Sequence, residues 1–469
     1  MVAILLFASS ASAQTAPPSP IRPWLVTSDS SITRDTRPSP DPNVRIDSDR
    51  KYSLAELIDI AQASNPETRV AWQKAREQAA ALGVARSELY PTLAAAAVSQ
   101  VDRQEILAGD AFFRQTLAIH RAELSVNYIV FDFGARRSRI DAASSEVLAA
   151  NFAFNDIHRK VAYHVAQAYY ELLNATGQEG AARASLANAE TVQQATESRM
   201  EQGLGTLPDV LEARSATAQA LFELQATLGD VEIARGNLAL ALGIFPMVPI
   251  DVEPIDKLTI PESIDEVVDQ AIHRALDQRP DLRQRLADAR SSEASIKEAR
   301  AAFYPTLNFN TRPSPQSLFG VQPPNQWAHA GGLLGTVSLS LNWTVFDGGA
   351  RKNNVALAAA ATSAAQAHAD STRDQIANEV WAAYSRFNTA LRQRQAAVAL
   401  LDAARQSYDA ARESYALGVR SLLDVTAAQR TLAQARSTDI LARTQVLTAF
   451  AELVFRTGDS IRAAITREP

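Results

Sequence analysis

The sequence predicts a mostly α-helical, internally duplicated protein that contributes four β-strands to a membrane β-barrel shared between copies of the chain. Three observations point to this fold class. Short motifs recur about 215 residues apart, strand-like segments alternate in polarity, and a very long run of helix-forming residues follows each pair of strands. Each half of the chain therefore repeats one plan of helices and strands.

The duplication is visible in three pairs of motifs. The Tyr-Pro-Thr-Leu motif at 90–93 recurs at 304–307. The Phe-Asp-Phe-Gly-Ala-Arg motif at 131–136 recurs as Phe-Asp-Gly-Gly-Ala-Arg at 346–351. The third pair consists of Gly203 with Asp209-Val210 and Gly418 with Asp424-Val425. Three motifs at one spacing are typical of a repeated structural unit.

The N-terminal region predicts an export signal and a linker ahead of the two repeats. An apolar run and an Ala-Ser-Ala cleavage pattern predict a signal peptide over residues 1–13, although this segment has no Lys or Arg. Residues 14–50 are rich in proline and polar residues, which predicts a disordered leader. We expect the first repeat over 51–260, the second over 261–460 and a C-terminal tail over 461–469.

Composition excludes several classes of function. The chain has 469 residues and a formal charge of −6, and it contains no Lys/Arg run of the kind that binds nucleic acid. Cysteine is absent, which excludes disulfides, thiolate metal sites, a cysteine nucleophile and a lipid-modified cysteine. The histidines are scattered, and His158 and His164 do not share a helix face, so we expect neither a metal site nor a cofactor.

Each repeat is predicted to open with two helices. The first helix is expected to begin at Ser53 and end near Asn65-Pro66, and its counterpart ends near Arg279-Pro280. Proline stops a helix and biases the residue before it towards extended geometry. The second helix of each repeat is expected to reach Tyr90-Pro91 or Tyr304-Pro305.

Each repeat then carries a predicted pair of strands. Apolar and polar residues alternate over 122–130 and over 337–345, and alternation of this length predicts a strand with two different faces. Weaker strands are expected to open each pair, over 93–101 and 307–311. The connecting loops are expected near 104–115 and 312–333.

A very long helix is predicted after each pair of strands. Neither glycine nor proline occurs between Gly349 and Gly418, a stretch that would span roughly 100 Å as a helix. The matching helix over 135–202 is expected to be interrupted at Gly177 and Gly180. A short turn and a returning helix of roughly 35 residues follow in each repeat. Helices of this length need partner helices along their length, as in coiled-coil assemblies.

The number of strands requires copies of the chain to share one barrel. In lipid every backbone polar group must be paired, and no strand edge can stay open. Closed membrane barrels need at least about eight strands, whereas one chain offers about four. Two copies would supply roughly eight strands and three would supply roughly twelve. The long helices follow the strands directly, so they would extend from the barrel as a tube.

The ordered set of motifs resembles the TolC-type outer-membrane efflux factor family. The resemblance rests on the duplicated plan, the Tyr-Pro-Thr-Leu strand entries, the Phe-Asp-x-Gly strand exits and the two Gly-x5-Asp-Val hairpin tips. It covers roughly residues 51–460. It implies a homotrimer in the outer-membrane lipid of a Gram-negative bacterium, with a twelve-stranded β-barrel and a periplasmic α-barrel of twelve helices.

The resemblance also implies partners and a gate. The closed periplasmic tip would open on docking to a periplasmic adaptor (membrane fusion protein) and an inner-membrane RND or ABC transporter. Tyr415 and Arg420 resemble the family's latch residues, Asp209 resembles their acceptor, and Asp424 resembles the first aspartate of the constriction ring. The ring's second aspartate falls at Ala427, which implies three carboxylates in the ring rather than six.

The residues alone offer a simpler explanation for each of these positions. Asp209 and Asp424 can serve as N-caps of the returning helices, a role that is compatible with a gate. Tyr415 and Arg420 can be an exposed pair at a helix end.

The two hairpin tips are the predicted adaptor-docking sites. Gly203 and Gly418 are expected to adopt the αL conformation that ends a helix. The resemblance implies that an adaptor grips the tips near Gly203, Leu204, Gly418 and Val419.

The sequence therefore favours an outer-membrane exit duct for small molecules expelled by a tripartite pump. Type I protein secretion uses the same architecture and stays open as an alternative. A soluble periplasmic coiled-coil adaptor would explain the long hairpins but not the paired strands at equal offsets. Asp, Ser and His residues show no motif spacing and no Gly-rich phosphate loop follows a strand, so we expect no enzymatic activity.

Overall fold

The structure is a computed structural model that describes most of the chain. The described residues are 50–108, 110–248, 250–255, 258–261, 267–322 and 326–462. The predicted signal peptide and all but the last residue of the predicted leader lie outside them, as do residues 463–469 of the predicted tail.

The two repeats have the same order of elements: a short strand, two helices, two long strands and two more helices. The first repeat consists of β1 (Lys51–Tyr52), α1 (Leu54–Ser64), α2 (Pro66–Ser87), β2 (Thr92–Ala108), β3 (Ala111–Phe131), α3 (Ala135–Glu201) and α4 (Leu207–Leu242). The second repeat consists of β4 (Asp251–Val252), α5 (Val268–Gln278), α6 (Pro280–Ala301), β5 (Thr306–Gln322), β6 (Gln326–Asn342), α7 (Ala350–Ala416) and α8 (Leu422–Thr457). Corresponding helices have equal lengths, so the duplicated plan is confirmed.

The opening helices of each repeat begin and end as predicted. Ser53 caps α1 through a capping box with Glu56, in which the hydroxyl accepts from the Glu56 backbone and the Glu56 carboxylate accepts from Ser53. Asn65 and Arg279 each precede a proline and have extended backbones, with φ of −65° and −66°. The proline therefore separates two helices at the same place in both repeats.

The long helix of the first repeat corrects one prediction. α3 continues through Gly177 and Gly180 without a break, although glycine in a helix interior costs about 1 kcal/mol relative to alanine. At Gly177 a Cβ atom would lie 2.6 Å from Cγ2 of Ile440, so α8 packs closely against the helix here. Tertiary packing of α8 against α3 thus offsets the low helix propensity of this stretch.

The four long strands form one antiparallel sheet in the order β2-β3-β5-β6. The strands at 122–130, 93–101 and 307–311 are confirmed within this sheet. Among the described residues β2 and β6 pair on one side only, so both edges of the sheet are open.

The strand pairs are longer than predicted, and the expected loops at 104–115 and 312–333 are wrong. β2 and β3 pair continuously from Thr92 with Asn127 to Ala108 with Ala111. β5 and β6 extend past the expected loop in the same way, from Thr306 to Asn342. The hairpin connections are therefore only two or three residues long.

Two prolines explain part of this error. Pro313 and Pro315 lie inside β5, a strand with neighbours on both sides, although proline cannot donate a ladder hydrogen bond. The pairing between β3 and β5 is interrupted between Arg121 with Gln316 and Val126 with Thr311. The prolines fall in this gap, which agrees with their lack of an N–H group.

The predicted strand over 337–345 ends too late. β6 ends at Asn342, and the next three residues leave the sheet. The indole Nε1 of Trp343 donates a hydrogen bond of 3.1 Å to the backbone oxygen of Phe303, which holds this exit segment against the end of α6. The alternation of apolar and polar residues therefore extends three residues past the last paired residue of β6.

The helices pack through alanine-rich faces. α3 packs against α4, α7 against α8, and α3 against α8, which joins the two long hairpins. The main core lies where α1, α3, α4 and α8 meet, and it includes the fully buried residues Leu57, Tyr169 and Leu238. Within the described ranges, every helix is too short or too polar to cross a membrane.

Candidate functional site

The sheet has one apolar and one polar face. Neighbouring rows across the four strands alternate in character, because successive side chains of a strand point to opposite faces. One row is Leu93, Val126, Thr311 and Val337, and the next is Thr92, Asn127, Asn310 and Ser338. On the polar face the Asn310 amide donates to the Asn127 side chain, and Nε of Arg312 lies 3.7 Å from Oε1 of Glu123. This pattern is typical of a membrane barrel with lipid outside and a polar interior.

The junctions between strand and long helix share the same aspartate–arginine contact in the two repeats. Asp132 Oδ2 accepts hydrogen bonds from the backbone N and the Nε of Arg136, at 2.9 and 2.8 Å. Asp347 Oδ2 accepts from the same atoms of Arg351, at 3.0 and 2.7 Å. Each aspartate thereby caps the first turn of α3 or α7 and fixes the direction in which the helix leaves the sheet.

The first of these junctions is the more buried. Burial raises the pKa of Asp132, but the hydrogen bonds and the charge of Arg136 outweigh burial and hold it below its usual value. Arg136 Nη1 also donates to the backbone oxygen of Glu88, 3.0 Å away at the end of α2. One arginine thus links the strand exit to the helix that precedes the strands.

The tips of the long hairpins have the predicted αL glycines. Gly203 and Gly418 have φ of 73° and 75°, a conformation that glycine adopts without steric cost. The backbone N–H of Leu204 donates to the oxygen of Arg199 at 2.8 Å, which closes the end of α3. Leu204 and Val419 are 68 % and 77 % exposed, so each tip presents an apolar side chain to solvent.

The predicted N-cap role of Asp209 and Asp424 is wrong: the N-caps of the returning helices are Thr206 and Ser421, and each aspartate is the third helical residue of a capping box. Asp209 Oδ2 accepts from the hydroxyl of Thr206 at 2.7 Å and from its backbone N–H at 3.2 Å. Asp424 Oδ2 accepts from Ser421 in the same way, at 2.9 and 3.2 Å. Hydrogen bonds from Ser421, with a smaller contribution from the charge of Arg420, lower the pKa of Asp424. Each aspartate therefore stabilises the first turn of its helix from within the helix, as the partner of the capping residue.

Tyr415 has a partner that the sequence did not indicate. The guanidinium carbon of Arg199 lies 4.9 Å from the centroid of the Tyr415 ring. Arg199 Nη1 donates to the backbone oxygens of Tyr415 and Ala416, at 3.1 and 3.3 Å. This arginine links the end of α3 to the end of α7, and its counterpart in the second repeat is Ser414. Because the two repeats differ here, the duplication gave no signal for it.

The predicted latch is not closed within one protomer. Among the described residues, no hydrogen bond or ion pair joins Arg420 to Asp209. Arg420 is exposed at the second tip, and Asp209 is partly exposed at the first. A contact between them would have to join different copies of the chain, and the latch and the constriction ring stay predictions.

The fold and these features define one protomer of a membrane channel that is completed by other copies and continued by a helical tube. A model of the outer membrane efflux protein family matches residues 57–244 and 271–459. The chain belongs to this family, whose members are outer-membrane channels of efflux and type I secretion systems with large periplasmic helical portions. The match to each repeat separately agrees with the duplicated elements.

Individual relatives are similar over most of their length. Protein CyaE of Bordetella pertussis is 26 % identical over 92 % of this chain and 89 % of its own. Outer membrane protein OprJ of Pseudomonas aeruginosa is 26 % identical over 81 % and 78 %. The solved structure of a membrane protein from Pseudomonas aeruginosa superposes with a TM-score of 0.77 at 25 % identity, covering 86 % of this chain and 93 % of that one. The trimeric channel fold and the outer-membrane location that the sequence predicted are therefore confirmed.

Proposed function

We propose that three copies of this chain form a passive exit duct for small molecules in a tripartite efflux pump. The duct would bind a periplasmic adaptor and receive its cargo from an inner-membrane RND or ABC transporter. It performs no chemistry on the cargo, and its role is to hold an open path across the periplasm and the outer membrane. The family is described as outer membrane efflux proteins but also contains type I secretion channels, so secreted protein stays an alternative cargo.

The observation that carries the proposal is the pair of open edges on a sheet with one apolar face. Unpaired backbone groups of β2 and β6 are too costly in lipid, so each edge must pair with a strand of another copy. The edges lie at opposite sides of the sheet, so β2 of one copy can pair with β6 of the next around a ring. The family fold favours three copies over two.

We propose further that the tips form a gate between copies. The exposed guanidinium of Arg420 would reach Asp209 of a neighbouring copy, while Tyr415 packs at the same level. An exposed Arg–Asp contact is worth about 1 kcal/mol or less, so three such contacts can hold a closed state that a docking protein overcomes. Asp424 would form a ring of three carboxylates at the constriction.

The tips would also bind the adaptor. The glycine turns at Gly203 and Gly418 leave the backbone uncovered, and Leu204 and Val419 extend from them into solvent. Leu417 is exposed beside them as well. Exposed apolar side chains clustered at one end of a long helical hairpin are typical of a protein-binding surface.

Single-channel recording in planar bilayers tests this proposal. The detergent-extracted wild-type protein is expected to be a trimer and to form pores of low conductance. The Asp209→Ala, Arg420→Ala double variant is expected to conduct more, because the contact that closes the tip is lost. A monomer that stays soluble without detergent would contradict the duct, and an unchanged conductance in the double variant would contradict the gate.

A further inference from the structure

An apolar groove with an acidic rim runs along α3 between α2 and α6. Its volume is 760 Å³. The floor consists of small and large apolar residues of α3: Ala149, Ala150, Ala153, Phe154 and Ile157. Val70 of α2 extends this apolar surface. Glu67, Glu77 and Glu146 stand around it, and Lys74 is the one basic residue in the described lining.

In a tube built from three copies the groove would face the interior. From Lys160 to Ala175, α3 leaves only Lys160, His164 and Glu171 exposed, because its other faces pack against α1, α4, α8 and the segment between the repeats. A tube with an open bore requires α1 and that segment to lie outside, so the exposed face lines the bore. Glu146 lies two heptads before Lys160 and therefore shares this face in a supercoiled helix.

The duplication provides an internal control. At the corresponding positions the second repeat lacks the large apolar residues and the carboxylates of Glu77 and Glu146, although Glu67 has an acidic counterpart in Asp281. The corresponding pairs are Val70 and Gln284, Glu77 and Ser291, Glu146 and Ala361, Phe154 and Ala369, and Ile157 and Thr372. The large apolar residues of the floor and these two carboxylates are therefore particular to the first repeat.

We propose that this groove binds amphipathic organic cations as they pass through the tube. The apolar floor would take the hydrophobic part of the molecule, and the rim carboxylates would take its positive charge. The 760 Å³ volume is in the range of pockets that hold small organic molecules. The inference rests on the proposed function as an exit duct and names the chemical class of its cargo.

The charges around the groove favour an incoming cation. Burial, reinforced by the charge of Glu146, raises the pKa of Asp288 on the α6 wall even though Arg285 lies 3.6 Å from it. Glu146 accepts a hydrogen bond from the Ser291 hydroxyl at 3.2 Å, which holds its carboxylate at the rim. Neighbouring carboxylates repel each other, and a bound cation would relieve that repulsion.

The test uses two ions of the same shape and opposite charge on trimers in planar bilayers. Tetraphenylphosphonium added on the periplasmic side is expected to reduce the wild-type conductance reversibly, whereas tetraphenylborate is expected to leave it unchanged. The Glu77→Gln, Glu146→Gln variant removes two charges with little change of shape. Its half-blocking concentration for the cation is expected to rise about tenfold.

Two further variants separate binding from folding. Phe154→Ala gives the floor the residue that the second repeat has and is expected to weaken the block as well. The matched control, Glu293→Gln with Asp370→Asn, removes two carboxylates from α6 and α7 outside the groove. Tetraphenylphosphonium should block this control at the same concentration as it blocks the wild type. All variants are compared as trimers of equal thermal stability.

The outcomes distinguish this inference from the proposed function. If the trimer forms no pores, the exit duct itself is wrong. If the pores conduct but tetraphenylphosphonium blocks wild type and the Glu77→Gln, Glu146→Gln variant equally, the groove is not the binding site. A conducting trimer that the cation does not block at all would also overturn the inference.

Discussion

The two proline junctions of this protein have the same backbone and different chemistry. At the first, Asn65 donates to the backbone oxygen of Ala241 at 3.0 Å and accepts from the N–H of Glu67 at 2.8 Å. At the second, Arg279 donates to Asp281 at 2.6 Å and to Glu379 at 2.7 Å. The Arg279 side chain is only 8 % exposed, so this junction holds an ion cluster with a buried arginine between two half-buried carboxylates.

The comparison shows which features the duplication preserves. Both copies keep the proline and the extended residue before it, because these set the angle between two consecutive helices. Each copy is then free to join the junction to its own surroundings. The first contacts the end of α4 through neutral groups, and the second contacts α7 and α8 through charges. Geometry is shared, whereas the sensitivity to mutation and to pH is not.

The largest expected difference between the junctions follows from removing the residue before each proline. Arg279→Met removes the buried arginine from two half-buried carboxylates, of which Glu379 keeps its ion pair with Arg456, and losing hydrogen bonds between charged groups in this way costs about 1.5–3 kcal/mol. Asn65→Ala removes a neutral cap and costs about 1 kcal/mol. The thermal unfolding midpoint of the trimer, measured by circular dichroism at fixed protein concentration, should fall further for Arg279→Met.

A compensated variant sharpens this prediction. Adding Asp281→Asn and Glu379→Gln to Arg279→Met removes both carboxylates and should recover part of the lost stability, although Glu379→Gln also breaks the ion pair with Arg456. Equal midpoints for Arg279→Met and Asn65→Ala would contradict the distinction between the two junctions.

Acid is expected to weaken the second junction and spare the first. Burial raises the pKa values of Asp281 and Glu379, but the hydrogen bonds and the charge of Arg279 outweigh burial. Both pKa values therefore lie below the ordinary values of aspartate and glutamate. Groups with depressed pKa values stabilise the fold above their unfolded-state pKa, and this contribution is lost as the pH falls. Hydrogen exchange, corrected for intrinsic rates, should show loss of protection around Arg279 below pH 4.5 but not around Asn65.

The compensated variant is the control for the acid effect as well. With Asp281→Asn and Glu379→Gln the junction carries no titrating carboxylate of this pair, so its protection should become independent of pH over the same range. If the wild type and this variant lose protection together, the ion cluster is not the origin of the acid sensitivity.

A smaller difference is expected where the strands leave the sheet. Gly348 has φ of 65°, and an added Cβ would meet open space, so Gly348→Ala should cost only the backbone strain of about 1–2 kcal/mol. Its counterpart Phe133 adopts φ of 51° and stacks on Tyr304, with ring centroids 4.8 Å apart. Phe133→Gly relieves the strain but loses a ring contact worth about 0.5–1.5 kcal/mol, so its net effect should be near zero.

Thermal midpoints of the two variants test this difference. We expect a lower midpoint for Gly348→Ala and almost no change for Phe133→Gly. A large loss of stability in Phe133→Gly with none in Gly348→Ala would contradict this prediction. Such a result would mean that the stacked ring, rather than the turn conformation, fixes the junction.

The smallest effect on stability is expected at the tips, where the difference is one of function. Asparagine keeps the capping oxygen of an aspartate but removes its charge. Asp424→Asn should weaken block of the channel by divalent cations, because the constriction loses its carboxylates, and Asp209→Asn should leave that block unchanged. Equal block in wild type and Asp424→Asn would place the ring elsewhere.

The sequence predicted the elements that local chemistry specifies. Prolines, capping residues and αL glycines mark the ends of α1, α3 and α7 and the two tips, and each acts through its own backbone. The alternation of apolar and polar residues predicted the strands, and the small number of strands per chain predicted that the sheet has open edges. These features needed no knowledge of which elements pack together.

The sequence could not predict features that depend on distant partners. Proline is rare inside a central strand, so Pro313 suggested a loop. Its place in β5 depends on an interruption in the pairing with β3, which the local sequence does not reveal. Gly177 looked like a helix break because the Ile440 side chain that packs against it is far along the chain. Arg199 and the groove on α3 occur in one repeat only, so the offset that revealed the other motifs did not reveal them.

Disulfide trapping between sheet edges tests the central claim most directly, and the natural chain contributes no cysteine to interfere. Cysteine replaces Ala94 on β2 together with Ser338, Ser340 or Asn342 on β6, all on the polar face. As a control, cysteines at Asn127 and Asn310 on the paired central strands should link only within one chain.

We predict that oxidation in native membranes yields covalent dimers and trimers for at least one of the edge pairs, and none for Ala94→Cys alone. Only monomers for every edge pair, with the central control still linking, would mean that the two edges do not meet in neighbouring copies. The shared barrel would then be wrong.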